Sequence, residues 1–129
     1  MDHKSIALLL LRLAFGFRLI YGVIDNIVSW ERMLEFKIFL TKMGFPFPLI
    51  CAIASVYIQM LAGLGWLIGY KVKFMSLLMI GNFIVAIVGV HVLHKDSYLN
   101  TAPAIHLLMV AIVLYLLGGG RYGLDKSSV

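Results

Sequence analysis

Most of the side chains able to do chemistry stand inside long apolar stretches. Arg12, Arg18 and Asp25 fall in the first stretch, Gln59 and Trp66 in the second, Asn82 and His91 in the third, and His106 in the fourth. An ionisable group among hydrocarbon is costly and demands a partner or a function. Arg18 and Gln59 at mid-depth read as the polar floor of a ligand pocket, with Asp25 as counter-ion and Trp66 beside them. Gln59 alternatively glues helices by a hydrogen bond worth ~1 kcal/mol. Arg12 suits either a buried role or snorkelling to headgroups. His91 and His106, toward one face of the membrane, suit proton exchange, because imidazole titrates near neutral pH.

Metal binding is the competing use of the histidines. His91 and His94 are three residues apart, a spacing that suits two ligands on one helix. His94 falls near the surface, however, and nothing fixes the path to His106, so no metal site is expected. No dinucleotide fingerprint, phosphate loop, catalytic triad or haem-attachment motif is present, and no catalytic residue is assigned. Cys51 is the single cysteine, so an intrachain disulfide is excluded, and it reads as a small buried hydrophobe.

Helical spacing gathers some of these groups. Arg18, Gly22 and Asp25 share one side of a helix. Ala52, Ser55, Gln59, Ala62, Gly63 and Trp66 share another, a small-residue seam that lets helices approach closely. Asn82, Ala86 and Gly89 share a side of the third stretch. His91 points roughly opposite unless the helix end unwinds.

The elements that must position them follow from composition. Of 129 residues, 62% are apolar and 13% charged, with mean hydropathy +0.99. A soluble domain is about half apolar and a quarter charged. Disorder, a basic-patch nucleic-acid binder and an ordinary soluble enzyme are excluded. Apolar runs cover residues 6–28, 47–68, 74–93 and 102–117. At ~1.5 Å rise per residue the first three span a ~30 Å hydrocarbon core, and flanking Tyr98, Leu99 and glycines extend the fourth. The first run is too long and too charged for a cleavable signal peptide. The expected fold is all-α: one integral membrane domain over 1–129, a four-helix bundle.

Boundary signals agree. Pro46 and Pro48 bracket the start of the second span, and Thr101 with Pro103 is expected to open the fourth. The stretch Gly69-Tyr70-Lys71-Val72-Lys73 reads as a tight turn, and Gly118-Gly119-Gly120 as a stop. Residues 29–43 differ: Glu31, Arg32, Glu35 and Lys42 face away from Trp30, Met33, Leu34, Ile38 and Leu40. That is an interfacial amphipathic helix between the first and second spans, although Lys37 interrupts its apolar side. Eleven Lys and Arg against six acids give net charge +5. Placing Lys4, Lys71, Lys73, Arg121 and Lys126 inside, with Arg32, Lys37, Lys42 and Lys95 outside, puts both termini in the cytoplasm.

Several segments together resemble one family. Leu11-Arg12-Leu13-Ala14-Phe15-Gly16 followed by Tyr21-Gly22 is similar to the opening of the DoxX family of small bacterial membrane proteins. Gly44-Phe45-Pro46-Phe47-Pro48, then Gln59-Met60-Leu61-Ala62-Gly63-Leu64 and Gly69, resembles its second-helix region. Gly120-Arg121-Tyr122-Gly123-Leu124-Asp125 resembles its closing motif. Where the family often carries His-Gly with a following Lys, this chain has Tyr21, Gly22 and Asp25; where the family has Glu, it has Gln59.

The resemblance implies a four-helix protein of the bacterial inner membrane. Some relatives are subunits of thiosulfate:quinone oxidoreductases and others join membrane redox complexes. It implies an accessory subunit beside a membrane or membrane-associated redox protein, with quinone or a lipid-like molecule as the ligand of Arg18, Asp25, Gln59, Trp66, His91 and His106. A homo-oligomer is compatible with it, and nucleic acid is not a partner. The alternatives are a non-catalytic assembly partner of another membrane protein and, last, a small transporter.

Overall fold

A computed structural model describes residues 3–125, and every regular element among them is helical. The order is α1 (His3–Val28), α2 (Trp30–Lys42), α3 (Pro48–Ile68), α4 (Val72–Ala86) continued by a π-helical turn (Ile87–Val92), and α5 (Tyr98–Leu117). Four helices are long and apolar enough to cross a membrane: His3–Val28, Pro48–Ile68, Val72–Val92 and Tyr98–Leu117. Lys126, counted among the inner charges, lies outside the described residues.

Local chemistry explains the breaks. Ser29 alone is extended between α1 and α2, and its N–H still reaches Asp25 O at 3.0 Å. Gly44, with φ +86°, ends α2 by returning the Phe45 N–H to Leu40 O and its own N–H to Thr41 O, both 3.1 Å. A left-handed glycine stops helices in this way at little steric cost. Pro48 opens α3, where its missing N–H costs nothing. The fourth span starts earlier than expected. Ser97, not Thr101, caps α5, its Oγ accepting from Asn100 N–H at 3.2 Å. Thr101 instead donates to Ser97 O at 2.8 Å inside the first turn.

Helix α1 packs on α3, α3 on α4, α4 on α5, and α5 touches α1, closing a four-helix ring. Leu19, Trp66, Met79, Phe83, Ala111 and Leu114 belong to its core. Helix α2 lies against α1 and α3 outside the ring. Its Met33 and Leu40 are buried with Val23, Ala52 and Val56, while Trp30 and Ile38 stay exposed. The start of α1, the α3–α4 turn and the chain after α5 share one end of the bundle. Helix α2, the turn into α3 and the loop after the π-turn share the other.

Candidate functional site

The α2, α3 and α4 elements do not close on one another, and a cleft of about 660 Å³ remains between them. Phe36, Phe39 and Leu40 line it from α2, Cys51, Ala54 and Ile58 from α3, and Leu77, Gly81 and Val85 from α4. Phe39, Leu77 and Val85 are also exposed, so the mouth of the cleft is apolar. Such a volume, with apolar walls and a few polar groups, matches sites that hold small organic molecules.

The polar groups are specific. Gln59 Nε2 donates to Ser55 Oγ at 3.1 Å, and Ser55 Oγ donates to Asn82 Oδ1 at 2.8 Å. This chain crosses from α3 to α4 in the cleft wall. Asn82 thus meets Ser55, one helical turn before Gln59. Cys51 is half-buried rather than buried, its Sγ 3.2 Å from Pro46 O.

His91 lines the same cleft. In an unbroken α-helix nine residues place it about 180° from Asn82. The π-helical turn removes that opposition by adding a residue to the turn. Its i→i+5 bonds continue past its end, from Leu93 N–H to Val88 O at 3.1 Å and from Asp96 N–H to His91 O at 2.8 Å. His91 Nδ1 lies 2.7 Å from Asp96 Oδ2. Asp96 Oδ1 also accepts from Asn100 Nδ2 and from Ser97 N–H, each at 2.9 Å. These donors, Asn100 first and then His91 and Ser97, hold the Asp96 carboxyl below its ordinary value. His94 Nε2 takes a different path, 3.1 Å from Met43 O.

The other expected residues separate. Asp25 lines a second, polar recess of about 430 Å³ with Asn26, Arg32 and Glu35, and Gln59 borders both spaces. Arg32 and Glu35 pair there at 3.1 Å, largely exposed. Arg18 is exposed and bonded to neither Gln59 nor Asp25. A Cβ on Gly22 would stand 3.2 Å from its Nη1, so the guanidinium runs along its own helix. Phe17 and Tyr21 stack beside it, ring centroids 6.0 Å apart. Trp66 is fully buried in the ring core, donating to Ser76 Oγ at 3.0 Å. His106 is exposed on α5, away from the cleft lining.

Arg12 does not snorkel. It is fully buried at the opposite end of the bundle, where Nη1 donates to Trp66 O at 3.4 Å and Nη2 to Tyr122 O. The closing segment satisfies the helix ends around it. Leu124 N–H bonds Ile68 O at 3.1 Å and Asp125 N–H bonds Gly69 O at 2.9 Å. Asp125 Oδ2 accepts the Val72 N–H at 3.1 Å, capping α4. Orphan carbonyls of α3 and an orphan donor of α4 thus find partners in the tail. The motif residues Arg12, Gly69 and Tyr122 to Asp125 make a structural lock. In the sequence these residues stand out as parts of the DoxX-like segments, without sign of the contacts that join them.

A polypeptide with four apolar spans, a closed helical ring and a cleft with an apolar mouth is a multi-pass helical membrane protein. The DoxX family model matches residues 7–92, more than half of the chain, and the chain belongs to the DoxX family. The closing segment lies beyond that match. No curated protein and no solved structure matches the chain.

Proposed function

We propose that this DoxX protein is a small accessory subunit of the bacterial cytoplasmic membrane. It holds a quinone or similarly lipid-like molecule in the α2–α3–α4 cleft beside a membrane redox partner. Both termini face the cytoplasm, and α2 lies along the outer interface with Glu31, Arg32 and Glu35 toward water. The cleft carries the proposal: its mouth is apolar, so a ligand enters from the lipid, and its polar groups are few and convergent. The residues fit a ring with oxygen substituents and an apolar tail. Asn82, Gln59 and His91 offer hydrogen bonds, while Phe36, Phe39 and Leu77 flank a tail. A quinone, when bound, supplies two-electron redox chemistry; the chain's own contribution is to bind, orient and exclude water.

Arg18 supports the presence of a partner. A charged group near mid-depth on an outward face is expensive in lipid, and an adjoining protein with an acceptor relieves that cost. The same observation favours the second reading, a purely structural partner with no ligand.

Extraction of the detergent-purified protein, followed by mass spectrometry, separates these. Stoichiometric isoprenoid quinone in the wild type, lost in Gly81→Phe, is expected. A Cβ at Gly81 meets nothing within 4 Å, so this substitution fills the cleft without a backbone clash. A co-eluting protein with no bound small molecule, or equal quinone in both samples, counts against the ligand role.

A further inference from the structure

From the His91–Asp96 geometry we infer that the cleft selects a ligand bearing a ring hydroxyl, a phenol or hydroquinone, over the corresponding carbonyl form. His91 Nε2 is the atom that accepts the hydroxyl hydrogen. The inference rests on the cleft being a ligand site, as proposed above, and adds which chemical form it takes.

The hydrogen-bond inventory dictates the selection. A carboxylate only accepts hydrogen bonds. Asp96 is held ionised by Asn100 and Ser97, so His91 Nδ1 must carry a hydrogen and donate it across the 2.7 Å contact. A neutral imidazole has one N–H. With that hydrogen fixed on Nδ1, Nε2 is left as a pure acceptor. No protein group bonds Nε2 among the described residues, and the ring lines the cleft. A hydroxyl satisfies this nitrogen. A quinone carbonyl, itself an acceptor, leaves two lone pairs facing each other, and unpaired buried acceptors are penalised.

Two features of the backbone serve this arrangement. The π-helical turn brings His91 onto the side of Asn82. The Asp96 N–H to His91 O bond at 2.8 Å then ties the carboxylate-bearing residue to the ring it orients. Asp96 acts through His91 and is a positioning residue.

The test compares binding of a decyl-substituted benzoquinone and its hydroquinone to detergent-purified protein at pH 8. The wild type is expected to favour the hydroquinone by roughly tenfold, the value of one net hydrogen bond. Asp96→Asn presents an amide N–H to Nδ1, moves the imidazole hydrogen to Nε2, and is expected to abolish or reverse the preference. The Oδ1 contacts that start α5 survive in that variant. Ring ¹⁵N shifts of His91 in the wild type, which need no variant, should report the Nδ1–H tautomer. Equal affinity for the two forms, an Nε2–H tautomer, or a preference unchanged in Asp96→Asn overturns the inference while leaving the cleft as a ligand site. Failure of folded wild type to bind either form overturns both.

Discussion

Gly16 and Gly63 meet backbone to backbone. A Cβ on either residue would stand 2.9 Å from the carbonyl oxygen of the other. This reciprocal contact brings the backbones of α1 and α3, which pack on each other, into close approach. Small residues allow such approach in membranes, where packing rather than the hydrophobic effect drives helix association.

Substitution there has a definite sign. Gly16→Ala or Gly63→Ala forces backbone apart, since a carbonyl oxygen cannot rotate out of the way. Overpacking of this kind costs about 1–3 kcal/mol. Thermal unfolding in detergent should show both variants destabilised, with Gly81→Ala, which meets nothing, as the neutral or stabilised control. Equal melting of all three would remove the close-approach account.

Arg12 secures the opposite end. Arg12→Ala strips the charged donor from Trp66 O and Tyr122 O, a loss on the order of 3 kcal/mol for two hydrogen bonds to a charged group. Arg12→Lys keeps the charge but loses the planar fork and should recover only part. Gly69→Ala should resemble Arg12→Ala. Gly69 has φ +70°, and its Cβ would lie 2.6 Å from Gly123 Cα and run into Arg12 Nη1. Limited proteolysis after Arg121 measures this directly: cleavage accelerates if the tail is released.

Trp66 and Ser76 give a contrast in polar burial. Ser76→Ala leaves the fully buried Trp66 Nε1–H without an acceptor, costing about 1–3 kcal/mol. Ser55→Ala interrupts the half-buried Gln59–Ser55–Asn82 chain and should cost nearer ~0.6 kcal/mol, as interhelical bonds in membranes do. Chemical denaturation of the two variants ranks them; the reverse order would place the stronger polar link in the cleft wall.

Acid should loosen the start of α5. The Asp96 carboxyl is held below its ordinary value in the folded chain by hydrogen bonds from Asn100, His91 and Ser97. A depressed acid contributes stability above its unfolded-state value, and that contribution is lost as pH falls through the lower folded-state value. Amide hydrogen exchange at Asn100 and Thr101 should therefore quicken relative to the bundle core as pH falls below the ordinary carboxylate range. Asp96→Asn should lack that step.

The spans were legible because hydrocarbon leaves a backbone few options: uninterrupted apolar runs must be helical. Their ends followed where Gly44, Pro48, Gly69 and Gly118 supplied the chemistry. Thr101 misled because Ser97 and Asp96, outside the apolar run, offered a cap one turn earlier. Of the polar residues, Gln59 and His91 line the cleft. Arg18, Trp66 and His106 do not, since periodicity gives a side of a helix but not which neighbour occupies it.

By itself the sequence determined that the chain is helical, that it has four runs long and apolar enough to cross a bilayer, and that it carries the DoxX signature. Those properties depend on local composition and on hydrogen bonds within single helices. Tertiary structure alone decided that Arg12 is a lock with the tail rather than a headgroup anchor, and that a π-helical turn swings His91 toward Asn82. It also joined Ser55 to Asn82 across two helices. Each of these is a contact between segments far apart in the chain, or a one-residue change in helical register. A pattern of residue types holds no record of either.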